Sequence, residues 1–247
     1  MSRTIIWFSC GAASAVAAKL TLRDKPDSIV AYCETGAEHS DNERFMADCV
    51  GWFNAPVERL KSEKYDSTWD LWEKRGYLSG VNGAICTGEL KVIPRLNNYD
   101  LPSDIHVFGY TADMADQRRA NRLRGAYPNM NIETPLIDAG LLKENVLAMI
   151  ENAGIALPPM YAMGFHNNNC IPCVKAESPN YWALVRKEFP SEFERMAKLA
   201  RDTGKKGVRL TKISEERIFI DEIPLDWPTT NPIQPACDFL CSFAENK

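Results

Sequence analysis

From its first residues the chain alternates short apolar runs with helical stretches, and that alternation narrows what it can fold into. Thr4-Ile-Ile-Trp-Phe8 has the length and character of a buried strand. Small residues follow, Ser9-Cys-Gly-Ala-Ala-Ser14, and then a helical stretch from Ala15 to Leu22. Ser28 to Cys33, Val57 to Leu60, Ile105 to Phe108 and Asn131 to Thr134 repeat the strand pattern. Between them Asp41 to Phe53 carries Phe45, Cys49, Trp52 and Phe53 at helical spacing, with Asp41 as the expected cap. Ala115 to Arg124 and Lys143 to Ala153 read as further helices. Strand–helix alternation predicts an α/β domain with a mostly parallel sheet, here of five strands flanked by helices. Such sheets bind ligands beyond the carboxyl ends of their strands. The residues at those ends are Ser9–Ser14, Cys33–His39 and Gly109–Asp113.

The texture changes near residue 154, so residues 1–154 are expected to form the α/β domain and residues 155–247 a mostly helical extension packed on it. The extension holds Pro158-Pro159, an Asn- and Cys-rich loop, helices over Asn180–Phe189 and Ser191–Asp202, a strand over Arg217–Asp221 and a Pro-rich tail. At 247 residues, 45% hydrophobic and 25% charged, the chain has ample material for a core. A net charge of −4 argues against a dedicated nucleic-acid coat. Local basic runs remain at Arg118-Arg119 with Arg122 and Arg124, and at Lys205-Lys206 with Arg209. No apolar run approaches membrane-spanning length, and the N-terminal apolar run leads straight into a strand and loop, not a signal peptide. A cytoplasmic protein with no membrane partner is expected. In that setting eight cysteines suggest metal binding, catalysis or burial in preference to a disulfide framework.

Two constellations carry chemistry. In the first, a strand, small residues and a helix let backbone N–H groups approach phosphate oxygens, while the helix N-terminus adds positive potential. Ser9, Cys10, Gly11, Ala12 and Ser14 form that loop; an ordinary strand-to-helix turn has the same composition, and spacing alone leaves both readings open. In the second, Cys170 and Cys173 are spaced for one metal or cluster. Cys86, Cys237 and Cys241 have the placement to join them. Lys91 and Lys175 stand beside these cysteines, to neutralise bound charge or simply to be solvated. Arg118 and Arg119 suit phosphate or sulfate recognition, one of them being expected on a solvated helix face. Cys10, Cys33 and Cys49 read as small core residues, and His39, His106 and His166 as structural. Trp69, Trp72, Tyr77 and the Tyr181-Trp182 pair are expected in the core.

Ser9-Cys-Gly-Ala-Ala-Ser14 resembles the Ser-Gly-Gly-x-Asp-Ser loop of the ATP pyrophosphatase and phosphoadenosine-phosphosulfate (PAPS) reductase superfamily. Cys33-Glu-Thr-Gly-Ala-Glu-His39, with Thr35 and Gly36, is similar to that superfamily's Asp-Thr-Gly segment. Gly109-Tyr-Thr-Ala-Asp113 with Arg118 resembles its Gly-x-Arg-x-Asp/Glu segment and following Arg. Cys86-Thr-Gly-Glu-Leu-Lys-Val-Ile-Pro94 is similar to the Cys-x-x-x-x-Lys-x-x-Pro segment of sulfonucleotide reductases. The resemblance spans roughly residues 4 to 175 and extends to the PAPS-reductase-like proteins often carried by phages. It implies a Rossmann-like fold of the adenine nucleotide alpha hydrolase type. It also implies an adenine nucleotide ligand (PAPS, adenylylsulfate or ATP), with magnesium where ATP is used. By the same resemblance a [4Fe-4S] cluster is held by Cys86, Cys170 and Cys173; the fourth position falls to Cys237, Cys241 or an open iron site, with Cys241 taken as the ligand and Cys237, Lys91 and Asp113 as the catalytic residues. Ala13 stands where ATP-cleaving members carry Asp, which Asp113 or Asp116 would have to replace. Thr111 stands where many reductases carry Arg, and the tail lacks the reductases' Cys-Gly-x-His pattern.

The first expectation is therefore a sulfonucleotide reductase fed by a thioredoxin-like dithiol donor. The second is an ATP-dependent sulfurtransferase acting on a nucleic acid or other acceptor. The third is a nucleotide-binding accessory protein without catalysis. A homodimer is compatible with each.

Overall fold

The computed structural model describes residues 2–80, 83–99, 102–203 and 209–236. Its centre is a five-stranded sheet of β1 (Thr4–Phe8), β2 (Ile29–Cys33), β3 (Val57–Leu60), β4 (Ile105–Phe108) and β5 (Asn131–Glu133), in the order β3-β2-β1-β4-β5. Every pairing is parallel, with Ile5 opposite both Ile29 and His106. Parallel strands need crossovers, which helices supply: α1 (Ala12–Asp24), α2 (Asn42–Phe53), α3 (Thr68–Arg75) and α4 (Met114–Ala126), while α5 (Lys143–Asn152) follows the last strand and packs on α1. This is a Rossmann-like α/β arrangement, and the strand order reverses between β1 and β4.

The alternating side chains of β1 explain its unbroken apolar run. Ile6 and Phe8 pack with Val16 of α1, Phe45 and Cys49 of α2 and Leu147 of α5. Ile5 and Trp7 join Ala31, Leu60 and Tyr99 on the opposite face. A second core gathers Trp69, Trp72, Leu78 and Ala84 with Phe165, Val174, Trp182 and Phe193. It is covered by α6 (Pro179–Glu188) and α7 (Pro190–Asp202). Among the described residues no helix is long and apolar enough to cross a membrane.

Several expectations are corrected. The first helix starts at Ala12, not Ala15, because Gly11 holds extended backbone and the small residues after it are already helical. Asp41 makes no capping hydrogen bond; its carboxylate is taken by Arg44 one turn on. The strand expected over 217–221 is a hairpin, Thr211–Ile213 with Glu216–Ile218, followed by a 3-10 turn at Ile220–Glu222. Ser214 (φ 48°) and Glu215 (φ 67°) form its turn, a left-handed pair that glycine and asparagine usually supply. Tyr77 is exposed, its ring lying over Gly80. Helix α3 was not anticipated, although the Ser67 hydroxyl caps the Asp70 amide at 3.1 Å and Gly76 ends the helix in the left-handed conformation.

Candidate functional site at the carboxyl edge of the sheet

The loop after β1 turns through Cys10, which has φ 54°, and enters α1 at Ala12. The Ser14 hydroxyl accepts from the Ser9 amide at 3.0 Å and donates to the Gly11 carbonyl at 2.9 Å. With that proton committed, the Ser9 hydroxyl is the donor in its 3.1 Å contact with Ser14 Oγ. A helix leaves its first amides without intrahelical partners. Here the Tyr161 hydroxyl accepts from the Ala12 amide at 3.0 Å. Gly109, at the end of β4, packs against this turn so closely that a Cβ would lie 2.7 Å from the Ser14 amide nitrogen.

The end of β2 supplies the second wall. Thr35 is buried, and Gly36 turns with φ 65° where a Cβ would overlap the Asp66 carbonyl. The Glu38 carboxylate accepts from the Thr35 amide (2.7 Å), the Thr35 hydroxyl (2.6 Å) and the Ala37 amide (3.0 Å). Sequence reasoning passed over Glu38, although its place in the Thr-Gly-Ala-Glu segment was visible. Since the Thr35 proton goes to Glu38, the Cys170 thiol is the donor in its 2.8 Å contact with Thr35 Oγ1.

Cys86, Cys170 and Cys173 are all free thiols and share one neighbourhood. Burial, then the charges of Cys170 and Cys173, push the Cys86 thiol up to about 11. Burial also raises Cys170, against the pull of Lys91. Burial alone would lower the Lys91 ammonium, yet Cys170, Cys173, Cys33 and Glu38 outweigh it and leave it raised. Among the described residues no three His, Cys, Asp or Glu side chains stand at metal-binding spacing. The donor chemistry nonetheless fits a soft metal or iron–sulfur group, since three thiols gather beside a lysine that offsets their charge. Helix α3, packed on the turn Ile85–Thr87 that carries Cys86, adds two buried groups with no partner among the described residues, Thr68 Oγ1 and Trp72 Nε1. Cys237 and Cys241 lie outside the described residues, as do Lys205 and Lys206.

Beyond β4, the Thr111 hydroxyl meets Asp113 at 2.8 Å and Asp116 at 3.0 Å. Arg119 pairs with Asp116 at 2.8 Å and lies over the Tyr110 ring, whereas Arg118 is exposed with no ion pair among the described residues. Asp113 also accepts from the Lys143 amide at 3.0 Å. His39 accepts from the Asp41 amide at 3.1 Å, and His106 accepts from Trp7 Nε1 at 3.2 Å; both have structural partners. His166 and Lys175 are exposed.

Lys143 was missed by sequence reasoning. It is 5% exposed, its Nζ donates to Asn167 Oδ1 at 3.2 Å, and it lies 4.9 Å from the centre of the Tyr161 ring. As the first residue of α5 its cation opposes the helix dipole, and that unfavourable placement was the available signal.

One short segment joins these walls. Asn167 holds Lys143, and Asn168 Nδ2 donates to the Cys10 carbonyl at 2.6 Å and to Asn42 Oδ1 at 2.8 Å. Cys170 contacts Thr35, the Ile171 amide donates to the Ala37 carbonyl at 2.7 Å, and the Cys173 amide donates to the Tyr181 hydroxyl at 2.6 Å. The small-residue loop, the β2 turn and the segment carrying Cys170 and Cys173 therefore form one continuous edge across the ends of β1 and β2. In comparison with known proteins, no family model matches the chain and no curated protein does either.

Proposed function

We propose that the chain is a nucleotide-binding enzyme of sulfur metabolism, similar to the sulfonucleotide reductases of the PAPS reductase and ATP pyrophosphatase superfamily. One observation carries the reading: the segment from Asn167 to Cys173 is bonded to the small-residue loop at Cys10 and to the β2 turn at Thr35 and Ala37. A phosphate held at the start of α1 is thereby set on the same edge as a group of thiols.

In this reading Ser9, Cys10, Gly11, Ala12 and Ser14 receive the phosphates, with Thr35, Gly36 and Gly109 shaping the walls and Arg118 at the rim. Cys86, Cys170 and Cys173 hold an iron–sulfur cluster, Cys241 being the candidate fourth ligand. When bound, that group would supply a metal centre able to polarise a sulfate. Lys91 balances the thiolate charge, and Glu38 fixes the Thr35 hydroxyl against Cys170. Cys237 is the candidate nucleophile. Its thiolate attacks the sulfate sulfur and the S–O bond to phosphate breaks, so the nucleotide leaves with the bridging oxygen. A thioredoxin-like dithiol then attacks the S-sulfonate, releases sulfite carrying two electrons and ends as a disulfide.

The second reading, an ATP-dependent sulfurtransferase acting on a nucleic acid or other acceptor, is favoured by Asp113 and Asp116. Both carboxylates reach Thr111 beside α1, where a magnesium-associated acid is needed to compensate for Ala13.

Anaerobic purification with iron and sulfide analysis, then incubation with adenylylsulfate, PAPS or ATP, tests these readings. Sulfite release with a dithiol present is the expected result, and Cys170→Ala with Cys173→Ala should lose the iron. Acceptor-dependent pyrophosphate release from ATP would move the assignment to the sulfurtransferase. Tight nucleotide binding with no turnover would make the chain an accessory protein, and full iron retention in both variants would overturn the assignment of the cluster to Cys170 and Cys173.

A further inference from the structure

We infer that Lys143 is the cation that receives a phosphate group at the amino end of α1. Four features of its setting point there. The side chain is buried at 5% exposure, and no carboxylate among the described residues lies within ion-pair distance of Nζ. Its side chain's only hydrogen bond among the described residues, to Asn167 Oδ1, is long at 3.2 Å and leaves two N–H groups to spend. Its aromatic neighbour Tyr161 bonds the Ala12 amide, so the ammonium stands one ring away from the first turn of α1. Its own position at the start of α5 sets it against that helix's dipole, and the nearby Asp113 carboxylate bonds the Lys143 backbone amide, leaving Nζ with no ion pair among the described residues.

An independent observation lies on the same wall. Asn168 is 6% exposed, and while its Nδ2 grips the Cys10 carbonyl and Asn42, its Oδ1 has no partner among the described residues. Buried acceptors are seldom left unpaired. A phosphorylated sugar brings both halves of what is missing, an anion for Lys143 and a hydroxyl donor for Asn168.

This assignment rests on the reading of the small-residue loop as a phosphate site, but not on the sulfur chemistry. Isothermal titration calorimetry of the full chain with ATP and with inorganic pyrophosphate tests it, alongside Lys143→Met and Lys143→Arg. A charge-assisted contact to phosphate predicts a loss of about tenfold to a hundredfold in affinity for both probes in Lys143→Met. Its melting temperature should not fall, because the substitution removes a buried charge. Lys143→Arg should retain most of the affinity, and added salt should weaken wild-type binding. Wild-type affinity in Lys143→Met, salt-insensitive pyrophosphate binding, or no binding of either probe overturns the assignment. If Lys143→Met does not fold, Lys143→Gln is read in its place, with the same loss expected. Binding of pyrophosphate but of no adenine nucleotide would remove the proposed function while leaving Lys143 in place.

Discussion

Gly109 has no room for a side chain, since a Cβ there would stand 2.7 Å from both Ser14 Cα and Ser14 N and 2.8 Å from the Ala13 carbonyl carbon. All three are backbone atoms of α1, so no rotamer change relieves the contact. The glycine lets β4 approach the turn that the phosphate reading uses. Gly109→Ala is therefore expected to destabilise the protein by about 1–3 kcal/mol and to weaken nucleotide binding together with stability. Urea denaturation with calorimetry checks this. An alanine variant with wild-type stability and wild-type binding would show that the two backbones separate freely. Lys143 makes the complementary point at the same scale. Gly109 is explained by protein atoms alone, whereas the buried Lys143 ammonium has no ion pair among the described residues.

Among the elements, the segment from Phe165 to Cys173 has the greatest consequence, because it has little regular structure and owes its place to side-chain bonds. Asn168 supplies two of them, reaching Cys10 across 158 positions of sequence. Asn168→Ala should cost about 1–3 kcal/mol, through the buried Cys10 carbonyl it leaves unpaired. It should also lower nucleotide affinity and metal content together. Selective loss of only one would mean that the loop and the cysteines are held separately. That long-range bond marks the limit of what the sequence discloses. The strands of the sheet were legible because both faces of β1 are buried and its run is unbroken. The hairpin at Thr211–Ile218 was not, because Ser214 and Glu215 are poor markers of a left-handed turn. Helix α3 carried readable signals in Ser67, Asp70 and Gly76, yet its two tryptophans were legible only as core. The cysteine spacing pointed to the thiol group, but nothing local tied it to the loop after β1.

At the scale of the whole molecule, the parallel sheet buries thiols in its main core, and their protonation is coupled to folding. Cys49 on α2 is fully buried; burial, then the charge of Asp48, pushes its thiol from the ordinary 9.0 up to about 12. Cys10 is raised as well, by burial first and then by Cys49, Glu38 and Glu43. Below pH 9.0 a thiol such as Cys49 is protonated in both folded and unfolded chains, and its contribution to stability is complete. Between 9.0 and about 12 the unfolded chain releases the proton while the folded chain keeps it, so stability falls with rising pH. Removing one such group isolates its share. Cys49→Ala leaves a small cavity and should be less stable than wild type near neutrality by about 1 kcal/mol. It should also lose less stability as the pH rises, so the two curves converge in alkali. Urea midpoints measured from neutrality to alkaline pH under reducing conditions test this. Parallel curves for the two proteins would mean that Cys49 ionises as readily in the folded core as in the unfolded chain, against the burial the sheet imposes on it.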